Sequence, residues 1–117
     1  MAYFLGLDAG ATRTRCVLAD DATILARASS GTIKILHRPV EDAEKNLDDL
    51  LRDVAAESGI SLHSIACTCV GLAGITVPRV EHWVRKELHA RVSGDTVLVS
   101  DGAIALDAAF SGGAGVI

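Results

Sequence analysis

The feature that most constrains the fold of this chain is an almost unbroken apolar run at residues 64–72. A strand with one side facing solvent would alternate apolar and polar residues, whereas a run without alternation is typical of a central strand covered on both faces. The run ends in the small-residue sequence Gly-Leu-Ala-Gly at residues 71–74, which indicates a turn. These features predict an α/β fold in which helices cover a sheet.

Three shorter apolar runs precede the central one, at residues 3–7, 15–19 and 23–28. The first is followed by the turn-forming sequence Asp-Ala-Gly-Ala and the second by Asp-Asp-Ala. Connections this short join antiparallel strands. The chain is therefore predicted to open with a three-stranded meander.

Apolar residues at helical spacing predict helices in much of the remaining chain. A first helix, ending at Gly59, is indicated by apolar residues that share one face: Ala43, Leu47, Leu50, Leu51, Val54 and Ala55. A second helix is expected after Pro78, a further buried strand at residues 96–100, and a short helix at residues 101–110. The order β-β-β-α-β-α-β-α is that of a ribonuclease H-like lobe with a mixed five-stranded sheet.

Size and charge narrow the classes of ligand. With 117 residues the chain has room for one domain, and its formal net charge of −4 offers no basic stripe for nucleic acid or an anionic membrane. The amino terminus lacks the features of a secretory signal, and the three cysteines, Cys16, Cys67 and Cys69, are an odd number. We expect a cytoplasmic protein with reduced thiols that binds a small polar molecule.

The residues best suited to chemistry lie where the predicted strands end. Asp8 follows the first strand, residues 71–74 end the central strand, and Asp101 follows the strand at residues 96–100. Ligands of open α/β sheets bind beyond the carboxyl ends of the parallel strands. These three positions are therefore expected to converge on one edge of the sheet.

The segment from Asp8 to Thr14 suits phosphate binding. Its small residues, Gly10 among them, let backbone N–H groups approach an anion. The hydroxyls of Thr12 and Thr14 add donors, and the Asp8 carboxylate can hold hydrated Mg²⁺ beside phosphates. A glycine turn between two antiparallel strands explains the same residues on spacing alone. Neither a P-loop nor a Rossmann glycine motif occurs in the chain.

The same segment carries a family resemblance. Residues 4–14, Phe-Leu-Gly-Leu-Asp-Ala-Gly-Ala-Thr-Arg-Thr, resemble the first phosphate motif, D-G-G-G-T-K-T, of the BadF/BadG/BcrA/BcrD ATPase and N-acetylglucosamine kinase family. That family belongs to the sugar kinase, actin and heat-shock chaperone superfamily. The resemblance implies an actin-like ATPase lobe that uses ATP and Mg²⁺. It implies phosphate binding by Asp8, Gly10, Thr12, Arg13 and Thr14, with the magnesium ion held by Asp8 through water.

The resemblance also implies an activity. In the family, the aspartate that matches Asp101 takes the proton from the sugar hydroxyl that attacks the γ-phosphate; Asp101 equally suits the N-cap of the following helix. The substrate side would include Gly74, Asp101 and Lys34, which stands where N-acetylglucosamine kinases place a substrate-binding Asn. Ala9 and Ala11 replace two glycines of the motif and are small enough to keep the turn. The implied function is ATP-dependent phosphorylation of an amino sugar, N-acetylglucosamine or glucosamine.

Two other functions are compatible with this fold. A BadF-type ATPase that activates a partner enzyme resembles proteins that contribute cysteines to an iron–sulfur cluster between subunits. The cysteines here fall in predicted strands, which argues against that role. A ribonuclease H-like nuclease needs a further carboxylate near the end of the adjacent strand, and residues 69–72 offer none.

The glycine-rich tail, residues 111–117, has the character of a loop that enters a strand without completing it. We therefore expect residues 1–117 to be one lobe of a two-lobed protein whose second lobe supplies the other phosphate loop and the adenosine pocket. The isolated chain is expected to lack kinase turnover, because stabilising the transferred phosphoryl group needs both sides of the clamp. The expected partner is a small sugar, and formation of a homodimer is left open.

Overall fold

The computed structural model of the chain describes residues 2–35, 39–72, 77–100 and 105–106. Its strands are β1 (Tyr3–Ala9), β2 (Arg13–Ala19), β3 (Ile24–Gly31), β4 (Ile65–Leu72) and β5 (Asp95–Val99). Its helices are α1 (Val40–Ser58) and α2 (Pro78–Arg91), and a short 3₁₀ turn (Leu62–Ser64) leads into β4. Neither described helix combines the length and apolar character that a membrane span requires.

The five strands form one sheet in the order β3-β2-β1-β4-β5. β1 pairs antiparallel with β2, and β2 pairs antiparallel with β3, as expected for a meander. β1 and β4 are parallel, and so are β4 and β5. The predicted mixed five-stranded sheet of an α/β fold is therefore confirmed, with β1 at its centre and β4 beside it.

β1 runs two residues further than the predicted strand at residues 3–7, so that Asp8 lies inside it. The reason is cross-strand pairing, since Asp8 lies opposite Arg15 of β2 on one side and Gly71 of β4 on the other. A polar residue that ends an apolar run still belongs to the strand when the adjacent strands on both sides pair with it. The helix predicted at residues 101–110 lies largely outside the described residues; residues 105–106 are helical.

Both helices pack on one face of the sheet through the side chains that their periodicity predicts. α1 buries Ala43, Leu47, Leu50, Leu51 and Val54, and α2 buries Val80, Val84 and Leu88. These side chains share one core with β1 and β2, and burying each large aliphatic side chain stabilises the fold by roughly 1.5–3 kcal/mol. α1 ends as expected at Gly59, whose left-handed backbone (φ 73°) lets its N–H donate to the Ala55 carbonyl.

The two faces of the sheet differ because successive side chains of a strand point to opposite sides. The helix-covered face carries apolar side chains, including Leu5, Leu7, Cys16 and Leu18. The opposite face carries polar groups from β1, β2 and β3: Asp8, Arg13, Arg15 and Arg27. Near β5 that second face is apolar, where Cys69 and Val99 pack against Ala105.

The connection from α2 to β5 passes very close to the start of β4. Gly94 has a left-handed backbone (φ 81°), and a Cβ placed on it would lie 2.3 Å from the Ala66 carbonyl oxygen. The preceding residue, Ser93, donates its hydroxyl to the Ile65 carbonyl oxygen at 2.7 Å. A residue without a side chain is therefore required where these two backbones cross.

All three cysteines are free thiols. Cys16 is fully enclosed in β2, and burial raises its pKa far above the ordinary range. Burial first, and the neighbouring Cys67 second, raise the pKa of Cys69 to about 11. Because the thiolate is the form that binds metals and reacts, these two side chains behave as core residues at neutral pH.

Candidate phosphate-binding site

The β1–β2 connection is a tight hairpin turn closed by a backbone hydrogen bond. The Gly10 N–H donates to the Arg13 carbonyl oxygen at 2.9 Å, and a Cβ on Gly10 would lie 3.0 Å from that same oxygen. Ala11 and Thr12, at the tip, are exposed. The simpler interpretation, a glycine turn between antiparallel strands, therefore describes the backbone correctly. Phosphate binding by this turn stays a prediction, and the exposed tip is compatible with it.

Asp8 stands one residue before the end of β1, with one of its carboxylate oxygens engaged. Arg15 Nη2 donates to Asp8 Oδ2 at 2.6 Å, and the side chains are 60% and 17% exposed for Arg15 and Asp8 respectively. Among the described residues, nothing donates to the second oxygen, Oδ1. Carboxylate oxygens are preferred partners of Mg²⁺ and its water shell. Asp8 can therefore hold a hydrated magnesium ion through Oδ1 while Oδ2 stays paired with Arg15.

The two threonines of the turn have different environments. Thr12 is exposed at the tip, whereas Thr14 is completely buried opposite Ala9. The Thr14 hydroxyl has no hydrogen-bond partner among the described residues. A buried hydroxyl left without a partner costs about 1–3 kcal/mol. Thr14 thus keeps an unused donor directly behind the turn, while Thr12 and the exposed Arg13 face solvent.

The ends of β1, β4 and β5 meet at one edge of the sheet. Asp8 lies opposite Gly71, and Gly71 lies opposite Val99, so these three residues form a row across three strands. Glycine at the central position places no side chain of its own beside Asp8. Gly74 and Asp101, which were predicted to bind substrate, lie outside the described residues. They follow this row by three and two residues along the chain.

The segment after β3 is tied to the turn by one hydroxyl group. Thr32 Oγ1 donates to the Gly10 carbonyl oxygen at 2.7 Å and accepts a hydrogen bond from the Lys34 backbone N–H at 3.0 Å. Asn46 of α1 donates through Nδ2 to the Thr32 carbonyl oxygen at 2.9 Å. Sequence reasoning missed Thr32 and Asn46 because these contacts join residues far apart in the chain.

Lys34, the third predicted substrate residue, is almost fully buried, with 8% of its surface exposed. Its neighbours Thr32 and Ile33 are buried as well. A lysine ammonium group offers three donors and no acceptor, so it recognises carbonyl, hydroxyl or carboxylate oxygens. The structure thus connects the backbone of Lys34 with the β1–β2 turn through the Thr32 hydroxyl.

A groove that shares Arg13 and Arg15 with this candidate site lies on the face of the sheet that α1 and α2 leave open. Its volume is about 380 Å³, and its lining includes Arg13, Arg15, Arg27, Ser29 and Leu106. Within the part of the chain that the structure describes, Arg13 and Arg27 form no ion pair. Sequence reasoning missed this groove, because it depends on the β2–β3 register that brings Arg27 beside β2.

Comparisons with known proteins agree with this fold. The family model described as the BadF/BadG/BcrA/BcrD ATPase family matches residues 5–117. No curated protein has a significantly similar sequence.

Three solved structures illustrate the likeness. A protein described as an N-acetylglucosamine kinase from Chromobacterium violaceum is 22% identical with a TM-score of 0.61, over 86% of this chain and 35% of that one. A ROK hexokinase from Thermus thermophilus is 17% identical with a TM-score of 0.59, over 82% and 34%. An inorganic polyphosphate/ATP-glucomannokinase from Arthrobacter sp. strain KM is 18% identical with a TM-score of 0.57, over 99% and 51%. At these identities the likeness shows the fold, and this chain spans only about a third to a half of each structure.

Proposed function

The chain belongs to the BadF/BadG/BcrA/BcrD ATPase family, and from that premise we propose that it is the phosphate-binding lobe of an ATP-dependent amino-sugar kinase. The proposed acceptor is N-acetylglucosamine or glucosamine. The observation that carries the proposal is the row formed by Asp8, Gly71 and Val99 at the carboxyl ends of three strands. Asp101 follows that row in sequence, as an acceptor base should. The fold shared with several sugar kinases supports the same proposal.

In this proposal the β1–β2 turn binds the phosphates of ATP. Backbone N–H groups at the exposed tip, the Thr12 hydroxyl and the Arg13 guanidinium donate to phosphate oxygens, which together offset their negative charge. Asp8 holds the water shell of Mg²⁺ through its free oxygen. The magnesium ion supplies charge stabilisation for the phosphoryl group when it is bound.

Asp101 is the proposed general base. It accepts the proton of the acceptor hydroxyl while that oxygen forms a bond to the γ-phosphorus, and the bond from the γ-phosphorus to the bridging oxygen breaks, so that ADP leaves. The reaction requires the lobe mainly to position its reactants, since the attacking and leaving oxygens must lie in line with the γ-phosphorus. Rigid strands that end side by side are suited to that demand.

Lys34 and Gly74 are proposed to contact the acceptor. A buried lysine in place of an asparagine changes what the acceptor must offer, because an amide both donates and accepts whereas an ammonium group only donates. The preferred acceptor therefore presents an oxygen toward Lys34. The burial of Lys34 supports a specific role, because a solvated lysine would discriminate little between sugars.

The cysteines favour the kinase over a partner-activating ATPase. An activator of the cluster-bearing kind needs accessible thiolates at a subunit interface. Cys16 and Cys69 are buried in β2 and β4, and burial raises the pKa of both. Both pack inside the protein, so neither reaches a surface where a cluster could be shared between subunits, and the third cysteine, Cys67, is half-buried.

The direct test of this proposal is a panel of acceptors. The two-lobed protein is incubated with Mg·ATP and N-acetylglucosamine, glucosamine, glucose or no sugar, and ADP and sugar phosphate are measured together. We expect ADP formation to depend on an amino sugar and to match the sugar phosphate formed. ATP hydrolysis at the same rate without sugar, with no phosphorylated product, would overturn the kinase proposal in favour of the activator.

Asp8→Asn is expected to lower the magnesium-dependent kcat of the two-lobed protein by about 10–100-fold, the usual cost of removing a group that orients a metal's shell. The fold should survive, because an exposed ion pair such as Asp8–Arg15 contributes at most about 1 kcal/mol. Activity is measured across a magnesium titration, and thermal unfolding is followed by circular dichroism.

Arg15→Gln is the matched control for this prediction. It breaks the same ion pair and leaves the carboxylate of Asp8 in place, so the magnesium dependence should change little. If Asp8→Asn unfolded the lobe and yet left the activity per folded molecule intact, Asp8 would be a structural residue of the turn.

A further inference from the structure

Thr32 lies between the two halves of the proposed site, which are the β1–β2 turn on the phosphate side and the segment of Lys34 on the acceptor side. Its hydroxyl is buried, with the residue 2% exposed, and it makes two hydrogen bonds in opposite senses. It donates to the Gly10 carbonyl oxygen in the phosphate turn and accepts from the Lys34 N–H on the acceptor side. One hydroxyl group therefore links the turn directly to the backbone of Lys34.

Thr32 is anchored to α1. Asn46 Nδ2 donates to the Thr32 carbonyl oxygen at 2.9 Å. The close approach of this amide is possible because residue 31 is glycine: a Cβ there would lie 2.7 Å from Asn46 Nδ2. Thr32 is thus held from two sides, by the helix through its backbone and by the turn through its side chain.

Few residues can satisfy both bonds. A hydroxyl can donate and accept at once, whereas a methyl group of the same size can do neither. Losing it would remove the hydrogen-bond partner that the Gly10 carbonyl and the Lys34 N–H share. The turn and the acceptor segment would then be joined only through the β2–β3 ladder, in which Arg13 lies opposite Gly31.

We propose that Thr32 is a positioning residue that couples the β1–β2 phosphate turn to Lys34, so that binding of nucleotide phosphate sets the acceptor side of the site. This inference deepens the proposed kinase function and rests on it. Thr32 touches neither the nucleotide nor the acceptor in this scheme. It acts through its hydrogen bonds to the Gly10 carbonyl oxygen and to the Lys34 backbone N–H.

The first arm of the test uses nuclear magnetic resonance on the two-lobed protein and needs no catalysis. Mg·ATP is titrated into the wild type, and the amide signals of the turn and of Lys34 are followed. We expect both to shift together in the wild type. In Thr32→Val the turn should still respond, while the Lys34 signal no longer follows it and its amide hydrogen exchanges faster. In Thr32→Ser, which keeps the hydroxyl, the joint response should return.

Thr68→Val is the matched control. Thr68 is a buried threonine of β4 whose hydroxyl has no hydrogen-bond partner among the described residues, so the same substitution removes a hydroxyl without breaking a bond. It should leave the joint response of the turn and Lys34 unchanged. Joint shifts that persist in Thr32→Val would overturn the coupling, and so would a Lys34 signal that ignores Mg·ATP in the wild type. A turn that does not respond at all would overturn both this inference and the proposed function.

The second arm measures sugar phosphorylation. Thr32→Val should lower kcat and raise the KM for the sugar, with a combined loss in kcat/KM of about 10–100-fold, as expected when reacting groups are misplaced, while the KM for ATP changes little. Thr32→Ser should recover most of that loss. Equal impairment of the Val and Ser variants would mean that Thr32 only supports packing. If the wild type phosphorylates no sugar, the proposed function fails, and the first arm still decides the coupling.

Discussion

Asp101→Asn is expected to lower the kcat for sugar phosphorylation by about 10²–10⁴-fold, the usual contribution of a positioned general base. An asparagine keeps the size of the side chain but cannot accept the proton of the attacking hydroxyl. ATP binding should survive, because in this proposal the nucleotide phosphates are held by the β1–β2 turn. The measurement compares kcat with the dissociation constant of Mg·ATP in the two-lobed protein, for wild type and variant.

Asp95→Asn supplies the control for this experiment. Asp95 begins β5, at the end of the strand opposite the candidate site, and it is exposed. Its substitution should leave kcat near the wild-type value. Sugar-dependent turnover that persists undiminished in Asp101→Asn would remove Asp101 from the mechanism and leave it only the role of a helix cap.

Gly94→Ala is expected to destabilise the 117-residue chain by about 2–5 kcal/mol, the sum of a left-handed backbone for a non-glycine residue and overpacking. The added methyl group would lie 2.3 Å from the Ala66 carbonyl oxygen, so the start of β5 must separate from β4. Since small domains have about 5–15 kcal/mol of stability in total, a large part of it would be lost. Urea denaturation measures the free energy of unfolding directly.

Gly59→Ala separates the two causes of that loss. Gly59 has a similar backbone (φ 73°), but no atom lies within 4 Å of the position that its Cβ would take. It should therefore cost only the backbone strain, about 1–2 kcal/mol. Equal losses in the two variants would show that the contact between Gly94 and Ala66 contributes nothing.

The sequence predicts the architecture well because each element carries its own signal. Three signals are local: the apolar run of β4, the helical spacing of α1 and the glycine at the end of α1. The folded chain has the strand and the helix that these patterns predict. The boundary of β1 was missed by two residues because Asp8 looks like the end of a strand. Only its pairing with Arg15 and Gly71 keeps it in the ladder.

The sequence predicted only the part of the candidate site that is contiguous in the chain. The turn from Asp8 to Thr14 is contiguous in sequence and carries a recognisable motif. The bond from Thr32 to Gly10 depends on how the segment after β3 folds back, and the contact of Asn46 depends on how α1 docks. Arg27 joins Arg13 in the open groove only through the register of β3 on β2. Neither composition nor periodicity predicts which residues that are far apart in the chain will come into contact.

The central position of β1 has a consequence for synthesis on the ribosome. β2 and β3 follow β1 directly, so the antiparallel meander can form as soon as they emerge, from contacts that are close in sequence. The other edge of β1 must wait for β4, which is made only after the whole of α1. During that interval β1 presents unpaired backbone groups on an apolar strand, which is the kind of surface that captures the wrong partner. Slow translation through α1 would lengthen this exposure, and a chaperone that shields β1 would matter most until β4 is available to pair with it.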